Sequence, residues 1–346
     1  MPTATLDRPI AAAPATAGVA TMKAIVQDRY GSADVLSLRD IDRPEIGDHG
    51  VLLRVRAAAV NPGDWAIMCG LPYVARPAPL YGLRKPRSGV RGTDVAGQVE
   101  AVGSTVTRFQ PGDDVFGWGV GCFAEYAAAS DDALVPKPAN LTFEQTAAVP
   151  TAACVALQAL RDHGRVQSGQ TVLINGASGG IGTFAVQIAK SLGAEVTGVC
   201  STPNVDLVRS IGADHVIDYT SEDFTKNGQT YDFILDNATR SLSDLRRALA
   251  PAGTLIPNGG GFDNHWFASA GRLLRARVLS VFVKQSLQTF LVAKKREDLD
   301  ALGEMLEAGT ITAVIGHTYP LSETAQAMTE MGGGHARGKL VITVAG

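Results

Sequence analysis

The chain has 346 residues, more than a typical single domain, and is long enough for two domains with separate hydrophobic cores. Apolar residues make up 45% of it and charged residues 19%, as in globular proteins. The formal net charge of −3 argues against a basic surface for nucleic acid or anionic lipid, and no apolar run reaches the roughly 18 residues of a membrane helix. We therefore expect a small-molecule partner, with no nucleic acid and no membrane.

The N-terminal segment and the cysteines bear on location. Residues 1–21 are rich in Ala, Thr and Pro and could not build a core, so we expect a disordered tail. The tail lacks the basic start and apolar stretch of a secretory signal, and Asp7 does not suit a transit peptide. We expect a cytoplasmic protein, with organellar import as the alternative. The cysteines form no CxxC pair and are predicted to be reduced thiols: Cys69, Cys122, Cys154 and Cys200.

The first part of the chain is predicted to be a β-rich, partly barrel-like domain. From Met22 to about Pro138, short strand-like runs are separated by Gly, Pro and Asp. One of these runs, residues 51–60, leads into the turn Asn61-Pro-Gly-Asp-Trp. Residues 70–92 hold four prolines and several basic residues, and this long loop is either a binding loop or a disordered segment.

The second part alternates strands and helices. Residues 142–161 have the spacing of a helix that joins two domains. Strands are then predicted at 171–176, 195–200, 215–219, 231–237, 253–258 and 277–283, and helices at 180–192, 203–211 and 241–250. Such alternation indicates a doubly wound parallel sheet of the Rossmann type. The chain ends with helices at 297–307 and 322–331 and strands at 310–319 and 339–344.

A glycine-rich turn stands at the start of this parallel sheet. Residues 171–182, TVLINGASGGIG, approach the dinucleotide-binding fingerprint, with Ala177 at its first glycine position. Glycines let the backbone approach a pyrophosphate, whose charge sits at a helix N-terminus. Such a loop also occurs in proteins that bind nothing there, but the strands and helices that follow it favour a dinucleotide site.

The turn after the next strand bears on the choice of nucleotide. An NAD site usually has an acidic residue about 20 residues beyond the glycines, and residues 201–204 hold none. Ser201, Thr202 and Asn204 can instead donate to a 2′-phosphate, so the sequence predicts NADPH. Alternatively, these hydroxyls only cap the next helix. No Arg or Lys occupies the turn.

With these motifs in view, residues 22–346 resemble the medium-chain dehydrogenase/reductase superfamily, in its zinc-free quinone oxidoreductase branch. The motifs that carry the resemblance are NPGDW at 61–65, RGTDVAGQVEAVG at 91–103, GDDVFG at 112–117, INGASGGIGTFAVQIAK at 174–190, STPNVDLVRSIGADHVIDY at 201–219 and GGGHARGKLVI at 332–342. The resemblance implies a discontinuous GroES-like catalytic domain, residues 22–145 and 290–346, a Rossmann NADP-binding domain, residues 146–289, and a homodimer.

In the zinc-dependent branch, a cysteine near 61, a histidine near 93 and a cysteine near 151 hold the catalytic zinc. This chain has Asn61, Thr93 and Thr151, none of them a soft or imidazole ligand, so we expect no zinc. Without a metal to polarise an alcohol, hydride transfer from NADPH to a quinone or an α,β-unsaturated carbonyl compound is favoured. The alternatives are an enoyl-thioester or biosynthetic alkene reductase, and an NADPH-binding protein with little turnover.

By resemblance, Asn61 and Asp64 belong beside the nicotinamide, with Tyr73 as a proton donor; otherwise Asn61 and Asp64 only stabilise a turn. The cofactor would be held by Ser178, Gly179, Gly180, Ile181, Ser201, Asn204, Tyr219, Asn237, Gly259, His335, Ala336 and Arg337. Two residues depart from the family pattern: Val155 replaces a threonine that reaches the nicotinamide, and Pro203 replaces an arginine.

Overall fold

The computed structural model describes residues 20–78, 81–258, 270–280, 282–334 and 336–345. The chain divides into two compact units. The first unit comprises Met1–Thr151, Lys294–Glu307 and Ile315–Gly346, and the second comprises Ala152–Ala293 and Ala308–Val314. The domain boundaries predicted from the sequence, 22–145 with 290–346 and 146–289, stay a prediction.

The described strands are β1 Thr21–Gln27, β2 Leu36–Asp42, β3 Gly50–Val60, β4 Asp94–Val102, β5 Asp114–Trp118, β6 Tyr126–Ser130, β7 Leu134–Pro136, β8 Thr171–Asn175, β9 Glu195–Cys200, β10 His215–Asp218, β11 Tyr231–Asp236, β12 Leu249–Pro257, β13 Ser286–Leu287, β14 Ile315–Pro320 and β15 Lys339–Thr343. The described α-helices are α1 Pro62–Cys69, α2 Phe143–Ala147, α3 Pro150–Leu157, α4 Gly180–Ser191, α5 Val205–Ser210, α6 Leu242–Arg247, α7 Ala270–Ser280, α8 Arg296–Glu307 and α9 Thr324–Gly332.

The first unit is built on a largely antiparallel sheet around β3. Its strand order is β14-β15-β3-β4-β5-β7, with β6 also paired to β3, while β1 and β2 form a separate antiparallel pair. Alternate residues of β3 are buried, and Val51, Leu53 and Val55 are at most 1% exposed. This period of two is what a strand with one face on the core requires, so the apolar pattern of β3 places it at the centre of the sheet.

The second unit holds a parallel sheet with the order β10-β9-β8-β11-β12-β13. From β8 the chain moves outward through β9 and β10 and then returns to the other side of β8 with β11. Ligands of such folds bind outside the carboxyl ends of the strands at this reversal. Helix α4 buries its apolar face, including Phe184 and Ile188, on the sheet. The predicted mixed α/β fold with a Rossmann-type parallel sheet is confirmed.

Three predicted elements differ from the structure. The strand predicted at 277–283 is wrong, because α7 extends to Ser280 and the edge strand is β13. The valines of this segment favour a strand, but the Leu, Arg and Ala residues of α7 have high helix propensity. The single helix at 142–161 is divided into α2, α3 and a π-helical turn at Gln158–His163. The strand predicted from 310 begins only at Ile315. Across the described residues, no helix is long and apolar enough to cross a bilayer.

Candidate functional site

The glycine-rich loop joins β8 to α4. Gly176 has φ +78°, a left-handed conformation that supplies the tight turn. The turn therefore does not need a glycine at position 177, where the chain has alanine. A Cβ on Gly182 would lie 2.1 Å from the carbonyl oxygen of Gly176, whereas a Cβ on Gly179 would meet only that oxygen, at 3.5 Å. Gly182 therefore permits close packing of helix on strand, and Gly179 leaves room above the helix N-terminus. These are the two roles that pyrophosphate binding requires.

Four predicted cofactor residues stand where this helix begins. Ser178 and Gly179 precede α4, and Gly180 and Ile181 open it. The first N–H groups of a helix have no intrahelical partner, and they carry the positive end of the helix dipole. All four residues are partly exposed. The loop therefore suits an anionic group.

Asn237 adds a donor at the reversal point of the sheet. It follows β11, and its backbone N–H donates to the carbonyl oxygen of Asn175 at the end of β8 (3.0 Å). Its side-chain oxygen accepts from Asn258 Nδ2 (2.8 Å), but its own Nδ2 is buried without a hydrogen-bond partner in the described part of the chain. A buried unpaired amide is costly, so this atom fits a polar group of a bound cofactor.

Asp236, at the end of β11, is a site residue that the sequence motifs did not indicate. It is fully buried, accepts from Asn175 Nδ2 (2.6 Å) and the Arg240 backbone N–H (3.2 Å), and pairs with the Arg272 guanidinium. The hydrogen bond to Asn175 and the buried ion pair with Arg272 connect the ends of β8 and β11 to α7. Its only signal in the sequence is an acid at the end of an apolar strand.

Three of the predicted cofactor residues meet at the carboxyl ends of β9 and β10. Asn204 Nδ2 donates to Ser201 Oγ (3.1 Å) in the turn after β9. Tyr219 follows β10, is 53% exposed, and donates its backbone N–H to the carbonyl oxygen of Cys200 (3.0 Å). The structure therefore brings Ser201, Asn204 and Tyr219 to one edge of the sheet.

A carboxylate also lies at this edge. Asp218 Oδ2 accepts from Thr202 Oγ1 (2.6 Å), and Asp218 Oδ1 accepts from the Thr220 backbone N–H (2.9 Å) and hydroxyl (2.7 Å). The Thr202 and Thr220 hydrogen bonds lower the pKa of Asp218 and hold it ionised. Residues 201–204 contain no acid, but Asp218 at the end of the neighbouring strand lies beside them. The sequence could have predicted this contact, because neighbouring parallel strands end at the same edge of a sheet.

In the first unit, Asn61 and Asp64 come together at the start of α1. Asn61 caps the helix, and Asp64 Oδ2 accepts the Asn61 backbone N–H (2.9 Å) in a capping box. Asn61 Nδ2 donates to Asp94 Oδ2 (2.9 Å), and Asn61 Oδ1 accepts from Lys339 Nζ (2.6 Å). Both ends of the Asn61 amide are therefore engaged within the protein.

Two of the three positions that hold zinc in the zinc-dependent branch, Asn61 and Thr151, are part of this network. Thr151 Oγ1 donates to Asp94 Oδ1 (2.5 Å), and Lys339 Nζ lies 4.0 Å from Asp94 Oδ2. We call the five residues Asn61, Asp64, Asp94, Thr151 and Lys339 the zinc-position cluster. It fits zinc poorly, because the Asn61 amide and Thr151 hydroxyl are weak zinc ligands and the carboxylates of Asp64 and Asp94 already accept hydrogen bonds within the cluster. The Lys339 ammonium would also repel the ion. Among the described residues, no three His, Cys, Asp or Glu side chains gather into a metal site.

Burial dominates the electrostatics of the zinc-position cluster. It raises the pKa of Asp64 to about 6, and the charge of Asp94 adds to the rise. Burial also lowers the pKa of Lys339, while Asp94 and Asp64 oppose that shift. Lys339 and the two carboxyls are at most 3% exposed. The ammonium is thus a buried counter-charge for two acids.

The remaining predicted site residues are more scattered. Tyr73 lies in a short 3-10 turn, with the Arg76 guanidinium 4.5 Å from its ring centroid. Ala336 packs against the core of the first unit, and Arg337 is exposed just before β15. Gly259 and His335 lie outside the described residues. The roles predicted for all five stay predictions.

Comparison with known proteins agrees with this geometry. Residues 47–139 match the family model "Alcohol dehydrogenase GroES-like domain", and residues 211–342 match "Zinc-binding dehydrogenase". The fold, with its GroES-like domain and Rossmann-type sheet, is that of a medium-chain dehydrogenase/reductase. We call the carboxyl ends of β8 to β11, with the turns that follow them, the dinucleotide edge. The mouse mitochondrial NAD(P)H oxidoreductase RTN4IP1 is 35% identical, over 93% of this chain and 89% of its own. The spinach chloroplastic quinone-oxidoreductase homolog is 32% identical, over 93% and 98%.

Among solved structures, the quinone oxidoreductase from Coxiella burnetii is 31% identical, covers 94% of this chain and all of its own, and superposes with a TM-score of 0.82. The chain belongs to the quinone oxidoreductase branch of the superfamily, and the predicted family is confirmed. It is an oxidoreductase that uses a nicotinamide cofactor.

The predicted cytoplasmic location is wrong as an inference from the sequence. Relatives that align with 93% of this chain are a mitochondrial protein in mouse and a chloroplastic protein in spinach. A targeting address is read by import receptors and is independent of the packed fold. The composition and cysteine usage of the chain therefore could not decide its compartment.

Proposed function

We propose that the protein is a zinc-independent reductase that delivers hydride from a reduced nicotinamide cofactor to a quinone or an α,β-unsaturated carbonyl compound. The observation that carries the proposal is the zinc-position cluster, in which Asn61 and Thr151 at two of the ligand positions are hydrogen-bonded within the protein and a buried ammonium lies beside them. A chain without a Lewis acid there favours an acceptor that is already electron-poor. The names of the spinach and Coxiella relatives support a quinone.

The cofactor would be held by the N-terminus of α4 and by Asn237. The N–H groups of Ser178 to Ile181 would bind the pyrophosphate, and Asn237 Nδ2 would donate to the cofactor. Bound nicotinamide would supply the hydride. The zinc-position cluster would act as a rigid support, because both ends of the Asn61 amide are engaged in it. Asp64, with its raised pKa, is the proposed proton-holding group of the cluster.

The prediction of NADPH rests on Ser201, Thr202 and Asn204, and the carboxylate of Asp218 counts against a strong preference. We therefore propose that NADH is accepted as well as NADPH. The homodimer stays a prediction, as do the two alternative functions, an enoyl-thioester or alkene reductase and a binding protein with little turnover.

The test is anaerobic oxidation of NADPH and of NADH with a panel of quinones, enals, enones and enoyl-thioesters, before and after dialysis against a chelator. We expect kcat/KM for a quinone or an enone to exceed that for the thioesters by about tenfold or more, which is about 1.4 kcal/mol of transition-state stabilisation. Chelation should leave the rate unchanged.

Simple alcohols with the oxidised cofactor are the control substrates. Zinc-dependent oxidation of an alcohol would contradict the proposal. Faster reduction of enoyl-thioesters would favour the first alternative. Binding of NADPH without reduction of any acceptor would favour the second.

A further inference from the structure

Two turns lie side by side at the adenosine end of the dinucleotide edge. Strands β9 and β10 are parallel neighbours, and Cys200 at the end of one is in register with Asp218 at the end of the other. The turn at Thr202–Asn204 and the turn at Thr220 therefore emerge together, and Thr202 Oγ1 lies 3.0 Å from Thr220 Oγ1. Asp218 belongs to the edge where a Rossmann fold binds its ribose.

The hydrogen bonds at this edge leave few donors for a phosphate. The hydroxyl proton of Thr202 is given to Asp218, so Thr202 cannot donate it to a ligand as well. One amide hydrogen of Asn204 is given to Ser201 Oγ. What remains are the Ser201 hydroxyl, the second Asn204 hydrogen and the hydroxyl of the exposed Tyr219, all of them neutral donors. Neutral donors bind a dianion about half as strongly as charged ones.

The carboxylate of Asp218 is only partly buried. Its Oδ1 accepts two bonds from Thr220, its Oδ2 accepts the Thr202 hydroxyl, and the Thr202 backbone N–H also bonds to the carboxylate. The ionised group is still open to a ligand on its exposed side. A ribose 2′-hydroxyl could donate to it. This is the bond by which acidic residues recognise NAD in Rossmann folds.

The charges at this edge do not offset Asp218. Within the described residues, Asp218 forms no ion pair. Arg209, in the last turn of α5, lies 3.8 Å from Asp206 with 64% of its side chain exposed. By the family resemblance an arginine is expected at position 203, where this chain has Pro203. A 2′-phosphate here would face the carboxylate of Asp218, while the exposed Arg209 is already paired with Asp206.

We propose that Asp218 determines the nucleotide preference of this chain, by accepting the ribose 2′-hydroxyl of NADH and opposing the 2′-phosphate of NADPH. The inference rests on the proposed function only in assuming that a nicotinamide dinucleotide binds at this edge. Asp218 stands at the end of the third strand of the unit, beyond the position where an acid normally recognises NAD, and it acts across the gap between strands.

The experiment measures Kd for NADH and NADPH by nicotinamide fluorescence, with no acceptor present, for the wild type and Asp218→Asn. Asparagine keeps one oxygen acceptor and removes the charge. We expect the ratio of NADPH affinity to NADH affinity to rise by roughly tenfold, the size of a charge interaction over a few ångströms at a solvated surface. Glu195→Gln is the matched control: it removes one charge from the amino end of β9, about 16 Å away, and should leave the ratio unchanged.

A second measurement needs no variant. If the 2′-phosphate is repelled, raising the ionic strength from about 0.02 to 0.2 M should increase the NADPH to NADH affinity ratio of the wild type, because salt screens the repulsion. A ratio that falls with salt would mean net attraction and would overturn the inference, as would an unchanged ratio in Asp218→Asn. If neither nucleotide binds the wild type, the proposed function fails instead.

Discussion

The zinc-position cluster and the dinucleotide edge are both built of polar side chains, but they use them differently. In the zinc-position cluster, Asn61, Asp94 and Lys339 are at most 5% exposed and bond to one another. At the dinucleotide edge, Asn237 keeps an unpaired donor and Tyr219 is 53% exposed. We therefore expect the first set to stabilise the fold and the second to bind the cofactor. Substitutions should therefore change stability in one region and nucleotide binding in the other.

Lys339→Met is expected to have the largest effect. It removes the ammonium beside the buried Asp94, leaves Arg91 as the remaining cation acting on Asp64, and removes the donor to Asn61 Oδ1. Breaking a buried pair in this way should lower the free energy of unfolding by about 3–5 kcal/mol, measured by urea denaturation. Lys23→Met is the control, since Lys23 pairs with Asp40 while 53% exposed and should cost at most about 1 kcal/mol. Equal losses would show that the cluster is not a structural support.

Asp64→Asn should change the dependence of stability on pH. Because the folded pKa of about 6 lies above the ordinary 3.8, the folded protein binds the proton more tightly between these values. The contribution of Asp64 to stability is therefore greatest below pH 4 and declines as pH rises to about 6, by about 3 kcal/mol at most. Asparagine cannot titrate, so the variant should lose this decline.

The measurement for Asp64 is the free energy of unfolding at pH 4 and pH 7, compared between wild type and variant. Asp40→Asn, at a carboxyl exposed on the same unit, is the control. If the difference between the two pH values is the same in wild type and Asp64→Asn, Asp64 does not hold a proton in the folded cluster.

The same two regions explain what could be predicted from the sequence. The loop at 176–182 was predictable because its geometry is local, with glycines placed between a strand and a helix. The bond of Lys339 to Asn61 joins residues 278 positions apart, and that of Thr202 to Asp218 joins residues 16 apart. Spacing alone does not report such contacts. The residues of the zinc positions could therefore be named from the resemblance, but the ammonium beside them could not.

Within the dinucleotide edge, Gly182→Ala should lower stability, whereas Gly179→Ala should weaken nucleotide binding. A Cβ on Gly182 would collide with backbone 2.1 Å away, so α4 must shift from β8 at a cost of about 1–3 kcal/mol of stability. Gly179 has φ −81°, which alanine adopts freely, and its Cβ would meet no atom closer than 3.5 Å. Gly179→Ala should therefore change stability by less than about 1 kcal/mol.

For nucleotide binding, we expect Gly179→Ala to have a larger effect than Gly182→Ala. The methyl group of Gly179→Ala would occupy the space where the pyrophosphate approaches the N-terminus of α4, and we expect Kd for NADH and NADPH to rise about tenfold together. Because the phosphate at the ribose is far from this loop, their ratio should not move, which distinguishes Gly179→Ala from Asp218→Asn. Unchanged affinity in Gly179→Ala would mean that the dinucleotide does not lie across the start of α4.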